Sequence, residues 1–205
     1  MAAVKDKRCS WCTSSDLYMD YHDKEWGVPC YDSRELFEQL NLEGAQAGLS
    51  WITILNKREN YRRLFSGFEP AKLARFNQTK LDKLVLDPGI VRHKGKIAAV
   101  VSNAKIYLEM EKNDEPFADF LWQFVDYKPR NHNRKSMKSV PSKTAESDAM
   151  CKALKKRGFK FVGSTICYAF MQASGMVNDH MIACPSHAKA VAQAKKRKRP
   201  KHWPA

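Results

Sequence analysis

The sequence predicts an all-α protein. Apolar residues recur at helical spacing along most of the 205 residues, Gly and Pro fall where helices would stop or start, and neither a run of alternating strand pattern nor an internal repeat interrupts them. Taken in order, "DSRELFEQL" (32–40) reads as a helix capped by Asp32 or Ser33, with Glu35 at the capping-box position. "SWITILNKRENYRRLF" (50–65) places Ile52, Leu55, Tyr61 and Leu64 near one stripe. "EPAKLARF" and "QTKLDKLVLDPG" are short helices, the first begun by Pro70 and the second stopped at Pro88-Gly89. "GKIAAVVSNAKIYLEMEKN" (95–113) is the longest amphipathic segment, followed by "PFADFLWQFV" (116–125) and a basic connector at 127–143. "SKTAESDAMCKALKKRG" is a helix that is basic in its last turn and closes on Gly158 as C′. After "FKFVG" comes "STICYAFMQASG", capped by Ser164 and stopped by Gly175. Two helices joined by a glycine-bounded hairpin at about 158–163 can aim backbone N–H groups at a phosphate. An ordinary helical hairpin is the commoner outcome, and it is Lys155, Lys156, Arg157 and Lys160 that tilt the reading toward nucleic acid.

Composition sets the class. With 43% apolar and 28% charged residues the chain is typical of a globular protein, and its apolar runs are far shorter than the roughly 20 residues that span a bilayer. The charged start "MAAVKDKRC" does not read as a leader, so an intracellular protein is expected, cytoplasmic in a bacterium or nuclear in a eukaryote. Six cysteines in such a chain argue for thiols or metal ligands rather than disulfides. The net charge of +14 suggests a polyanionic partner. Seven of those positive charges lie after His180, where there is no acid, which leaves a body of about +7. The tail "KKRKRPK" reads either as a disordered solubilising extension or as a nucleic-acid-binding arm or nuclear address.

Two features point to chemistry. Cys9-x₂-Cys12, His22 and His180-x₃-Cys184 offer soft ligands that could clip both chain ends around a tetrahedral zinc; spacing alone does not choose between Cys9 and Cys12 or exclude His187. The second is "LEGAQAGLSWITIL" (42–55), where Glu43 stands in an apolar stretch with no Lys or Arg before Lys57. A carboxylate there must be solvated at an edge, paired, or kept for a purpose.

"RCSWC", "LYMDYHDKEWGVP", "LFEQLNLEGAQAGLSWITILNKRENYRRLF", "GIVRHKGKI", "FLWQFV" and "LKKRGFKFVGSTICYAFMQASGMVNDH", with the closing Cys184, together resemble the 3-methyladenine DNA glycosylase I family, from about Arg8 to Cys184. The resemblance implies a helix-hairpin-helix glycosylase fold of two helical lobes, with a domain over 1–188 and a basic tail at 189–205 expected to be disordered. It implies one structural zinc on Cys9, His22, His180 and Cys184, with Cys12 and His187 as bystanders. It places Glu43 as the catalytic carboxylate and Tyr18, Tyr21, Trp51 and Trp11 as substrate-binding residues. Gly158, Lys160 and Gly163 of the hairpin would meet DNA, and Leu49 would fill the gap left by a flipped base.

The implied activity is flipping of 3-methyladenine out of double-stranded DNA and hydrolysis of its N-glycosidic bond by a monomer. An abasic site and the free base are the products. The methylated base is cationic and already a good leaving group, so selection rather than acid catalysis is the difficulty. Aromatic faces favour a cation, and a carboxylate can accept hydrogen bonds from an adenine edge while opposing the charge. No lysine stands out as a nucleophile, so a monofunctional enzyme is expected. Asp179 lies where related glycosylases carry a catalytic aspartate, although this family is not expected to use it so. A zinc and hairpin module that binds DNA without chemistry is the alternative, and it has no use for an acid among aromatics.

Overall fold

The computed structural model describes residues 7–204, so the start of the chain, on which the expectation of no leader rests, lies largely outside the described residues. Ten α-helices build it: α1 (Asp16–Lys24), α2 (Ser33–Gln46), α3 (Trp51–Leu64), α4 (Pro70–Leu73), α5 (Gln78–Leu86), α6 (Lys94–Lys112), α7 (Phe117–Trp122), α8 (Ala145–Lys156), α9 (Ser164–Ala173) and α10 (Pro185–Lys196). None of the described helices is long and apolar enough to cross a membrane.

Helix α2 runs through the centre and packs on α3, α6, α7 and α9. It can do so because it is buried over most of its surface from Leu36 to Ala45, with Leu36, Phe37, Leu40, Leu42 and Ala45 in the core and Glu38, Asn41 and Glu43 buried among them. Its N-terminus is capped as the sequence predicts, the Asp32 side chain accepting from the Glu35 N–H at 2.8 Å. Phe65, Phe68, Phe117, Trp122 and Phe170 fill the surrounding core. The stop at Gly175 has two causes. Its φ is +68°, and a Cβ there would lie 2.3 Å from the Pro29 nitrogen, so only glycine lets the end of α9 cross the Val28–Pro29 backbone.

The hairpin forms between α8 and α9. Gly158 turns at φ +94°, and buried Asn103 on α6 grips the loop, accepting from the Lys160 N–H at 2.9 Å and donating to the Lys160 carbonyl at 3.3 Å. The residue capping α9 is Gly163 rather than Ser164. Ser164 is the first helical residue, and its hydroxyl instead meets that of Ser147 at 2.9 Å, tying the two helices together.

Two further differences from the sequence reading concern the connector and the tail. Arg130–Asn131 (β1) pairs in parallel with Val177–Asn178 (β2), and the Ile182 N–H continues the pairing to the Arg134 carbonyl at 2.8 Å. Strands of two residues carry no alternation, so only the partner defines them. The tail, expected to be disordered, is ordered: α10 runs to Lys196, and Trp203 is buried against Tyr31, Trp122 and Tyr127 with ring centroids 5.1–5.7 Å apart. Its indole N–H donates to Asp119 at 2.8 Å, while Arg197 and Arg199 donate to the Pro29 and Tyr127 carbonyls. An aromatic anchor and two consumed arginines outweigh the charge run. Trp203→Ala should therefore lower stability by about 3 kcal/mol, seen in thermal melts as a fall of roughly 6–12 °C. The Tyr31–Trp122 dock lies at the N-terminal end of α2, about 20 Å along the helix from Gln46 at its other end.

Candidate active site

Helices α1, α2, α3 and α9 converge on a cavity of about 200 Å³, lined by Trp11, Tyr18, Tyr21, Trp26, Glu43, Gln46, Trp51, Met137, Val140, Ala169 and Gln172. Its walls are aromatic. Trp11 lies 4.9 Å from Tyr18 and 5.0 Å from Trp26, and Tyr21 lies 5.3 Å from Trp51 between centroids. Glu43, on the last turns of α2, is only 2% exposed. Its Oε2 has no hydrogen-bond partner among the described residues, and neither does the buried indole N–H of Trp51. Burial pushes the Glu43 carboxyl up to about 8. The same burial, with Cys12 and then Glu43 adding to it, pushes the Tyr18 phenol up to about 12. A buried acid without a partner is costly to fold around and marks a place made to receive something.

All five pocket residues expected from the sequence are brought together here: Trp11, Tyr18, Tyr21, Glu43 and Trp51. The residues expected at DNA do not line the cavity. Leu49 is 42% exposed in the α2–α3 loop, Gly158 and Lys160 lie on the hairpin, and a Cβ on Gly163 would meet open space. Sequence reasoning missed Trp26, Gln46, Met137, Val140, Ala169 and Gln172. The i, i+3 spacing of Glu43 with Gln46 and of Ala169 with Gln172 could have flagged three of them; the connector residues gave no signal. A larger cavity of about 490 Å³ lies behind Tyr21 and Trp51. Its chief charges are already paired, Arg58 with Glu25 at 2.6 and 2.8 Å and Arg62 with Glu38 at 2.7 Å, so the smaller cavity holds the unspent chemistry.

Behind the aromatic wall, Cys9, His22, His180 and Cys184 are buried with ligand atoms all within 4.8 Å of one another, a group that could hold a metal. His22 Nε2 lies 3.1 Å from His180 Nδ1 and 3.6 Å from Cys184 Sγ, and His180 Nδ1 lies 3.8 and 3.9 Å from Cys9 and Cys184. Tetrahedral zinc with bonds of about 2.05 Å to nitrogen and 2.3 Å to sulfur would set such edges near 3.3 Å for N···N and 3.6 Å for N···S. The fit is good, and the other ring nitrogens are already occupied: His22 Nδ1 by Asp23 at 2.7 Å and His180 Nε2 by the Trp26 carbonyl at 3.0 Å. Cys12 donates to the Cys9 carbonyl and His187 pairs with the His132 carbonyl, which leaves both outside the cluster. Asp179 is fully engaged by Tyr168, Arg134, Gln172 and His132, with no lone pair left aimed at the cavity.

A mostly helical fold with a glycine-bounded helical hairpin beside an aromatic pocket holding one buried acid defines a helix-hairpin-helix protein built to take a small planar guest. The sequence profile of the methyladenine glycosylase family matches residues 11–187, and the chain belongs to that family. It is 56% identical to DNA-3-methyladenine glycosylase 1 of Escherichia coli over 178 residues, 87% of this chain and 95% of that protein. A solved 3-methyladenine DNA glycosylase I structure superposes with a TM-score of 0.86 at 56% identity, covering 87% of this chain and 98% of that one. The Staphylococcus aureus 3-methyladenine DNA glycosylase I, solved to explain 3-methyladenine recognition, gives a TM-score of 0.84 at 38% identity, covering 87% of this chain and 95% of that one.

Proposed function

We propose that this chain is a DNA-3-methyladenine glycosylase that extracts the methylated base from duplex DNA and hydrolyses its N-glycosidic bond. One observation carries the reading: a buried carboxyl with an unpartnered oxygen, on the wall of an aromatic cavity of about 200 Å³. That volume is below the roughly 300–1,000 Å³ of drug-sized sites and suits a single heterocycle. The E. coli and S. aureus relatives carry the same activity in their names.

The flipped base enters between Tyr18, Tyr21, Trp11 and Trp51, whose π-faces favour its positive charge by about 0.5–2 kcal/mol per contact. Glu43 accepts hydrogen bonds from the adenine edge and ionises as the cation arrives, and the vacant Trp51 N–H offers the complementary donor. When the bond from C1′ to the base breaks, its electron pair neutralises the base, so the leaving group needs no proton. Water supplies the oxygen at C1′ and releases a proton, leaving an abasic sugar. Outside the cavity, the open backbone at Gly163, the Lys160 side chain and the Gly158 turn face the phosphates, and exposed Leu49 fills the emptied stack. The domain takes in the former tail, because α10 crosses residue 188 and Trp203 packs into the core; it forms two helical lobes with the cavity between them and acts as a monomer. Cys9, His22, His180 and Cys184 hold a structural zinc that joins distant parts of that domain; the ion supplies folding energy and no step of the reaction.

Among the described residues, Lys96 is the lysine held below its ordinary range, by burial. Its ammonium donates to the Ala45 and Ala47 carbonyls and does not line the cavity, so it is no nucleophile. Methylated duplex treated with the enzyme should therefore stay unbroken until alkali is added. A borohydride-trapped protein–DNA adduct would show a lysine route instead, and failure to release any base from methylated DNA would reduce the chain to a binding module.

A further inference from the structure

Among the lining residues to which the proposed function gives no task are Met137 and Val140, the two that come from the basic connector. Met137 opens a single 3₁₀ turn, Met137–Ser139, and Val140 closes it as the C-cap, within the basic connector. Met137 is 38% exposed and Val140 is half-buried, so this wall borders both the cavity and solvent. The turn has no core of its own and is held from outside. Arg134 Nη1 donates to the Ser139 carbonyl at 2.9 Å, and Arg134 Nε donates to Asp179 at 2.9 Å. The other Asp179 oxygen accepts from Gln172 Nε2 at 2.9 Å, and Gln172 lines the same cavity. One fully buried carboxylate thus ties the connector turn to Gln172 on α9, and the pairing of His132 with Asn178 and of Ile182 with Arg134 locks the connector in register.

We propose that Met137 and Val140 close over the flipped base as a water-excluding, selectivity-setting wall, and that Arg134 and Asp179 are positioning residues for it. The inference rests on the glycosylase reading above and deepens it. It gives Asp179 a task in the reaction without contact to the sugar: its lone pairs are spent on holding the pocket's width. A base too large for the cavity would be refused, and one that fits would be shielded from solvent along the Met137–Val140 wall. Shielding strengthens the contact between Glu43 and the cationic base, because that contact weakens as water enters.

The test compares the wild type with the double substitution Met137→Ala, Val140→Ala, with the conservative Met137→Leu, and with Arg134→Met. Free 3-methyladenine binding is read from tryptophan fluorescence, DNA affinity from an abasic-site duplex, and stability from melting. The alanine pair should weaken base binding about ten- to thirtyfold, should let acrylamide quench the pocket tryptophans in the bound state, and should leave melting temperature and abasic-duplex affinity near wild type. Met137→Leu should restore binding to within about twofold, a rescue a merely structural turn has no reason to show. Arg134→Met, with Met137 and Val140 intact, should lose base affinity in the same direction; if it does not fold, the alanine pair decides alone. Unchanged base affinity and quenching in the alanine pair, with the wild type binding normally, would overturn the wall. A wild type that does not bind 3-methyladenine would overturn the glycosylase reading and the wall together.

Discussion

Glu43→Gln is expected to melt above the wild type at pH 8 and yet to excise the cationic base about ten- to a hundredfold more slowly. Burial raises the Glu43 carboxyl from its ordinary 4.5 to about 8 in the empty pocket. The folded chain therefore keeps a proton that the unfolded chain gives up, and wild-type stability declines as pH rises from about 4.5 to 8, then levels off. The loss is at most about 5 kcal/mol once both states are ionised. Glutamine fills the same space without that penalty, so the two proteins should melt alike near pH 5 and diverge steadily above it. Melts at one-unit intervals of pH check this; a variant less stable at every pH would mean that Glu43 supports the packing of α2. The catalytic half has the opposite sign. Loss of a charge-assisted hydrogen bond to the base costs about 1.5–3 kcal/mol, while affinity for an abasic-site duplex, governed by phosphate contacts, stays unchanged. Capture of the cation by the wild type should also strengthen with pH up to about 8, because binding expels the Glu43 proton, and the variant should lack that slope.

Removing a cluster ligand should damage the fold more than any change inside the cavity. Cys184→Ala takes one thiolate from a buried group whose other members, Cys9, His22 and His180, are themselves without access to water. Apparent zinc affinities of about 10–16 kcal/mol in small zinc-binding peptides give the ceiling for the loss. Elemental analysis of protein purified without added metal should give one zinc per chain, and a chelator should lower the melting temperature of the wild type but not of Cys184→Ala. Trp11 sits one residue before Cys12 with its ring 5.2 Å from His22 and 5.0 Å from Trp26, so chelation should also shift pocket tryptophan emission. A fully folded wild type free of metal would end this assignment.

The helices were legible where local chemistry decides them. Asp32, Pro70, Gly158 and Gly175 mark their boundaries through a cap, a fixed φ or a positive φ, each a property of one residue and its neighbours. Glu43 was legible for a related reason: a charge in an apolar run is anomalous at any fold. What the residues alone could not give is whatever depends on meeting a distant partner. Cys9 and Cys12 are equally plausible ligands until Cys12 is seen to turn back on its own loop, and His187 until its ring meets the His132 carbonyl. The family resemblance, not spacing, made that choice in advance. Met137 and Val140 meet the cavity from the connector, whose Arg134 reaches Asp179 across 45 residues of chain, a contact no local pattern announces. The tail misled because a run of cations outweighed one tryptophan, and the tryptophan's dock is assembled from Tyr31, Trp122 and Tyr127, far apart in sequence.

The candidate metal-ligand cluster draws on distant parts of the chain, with His22 and His180 separated by 158 residues. During synthesis at about 5–20 residues per second, Cys9 and His22 leave the ribosome some 8–30 s before their partners have been made. For that interval the nascent protein owns half a site, two ligands that bind a cation too weakly to hold it. The cavity shares its aromatic wall with that cluster through Trp11 and Trp26, and it too is completed only after Ala169 and Gln172 have emerged. Were the cluster to take up zinc as proposed, zinc supply and translation speed, rather than any property of the damaged base, would set when a newly made molecule begins to work.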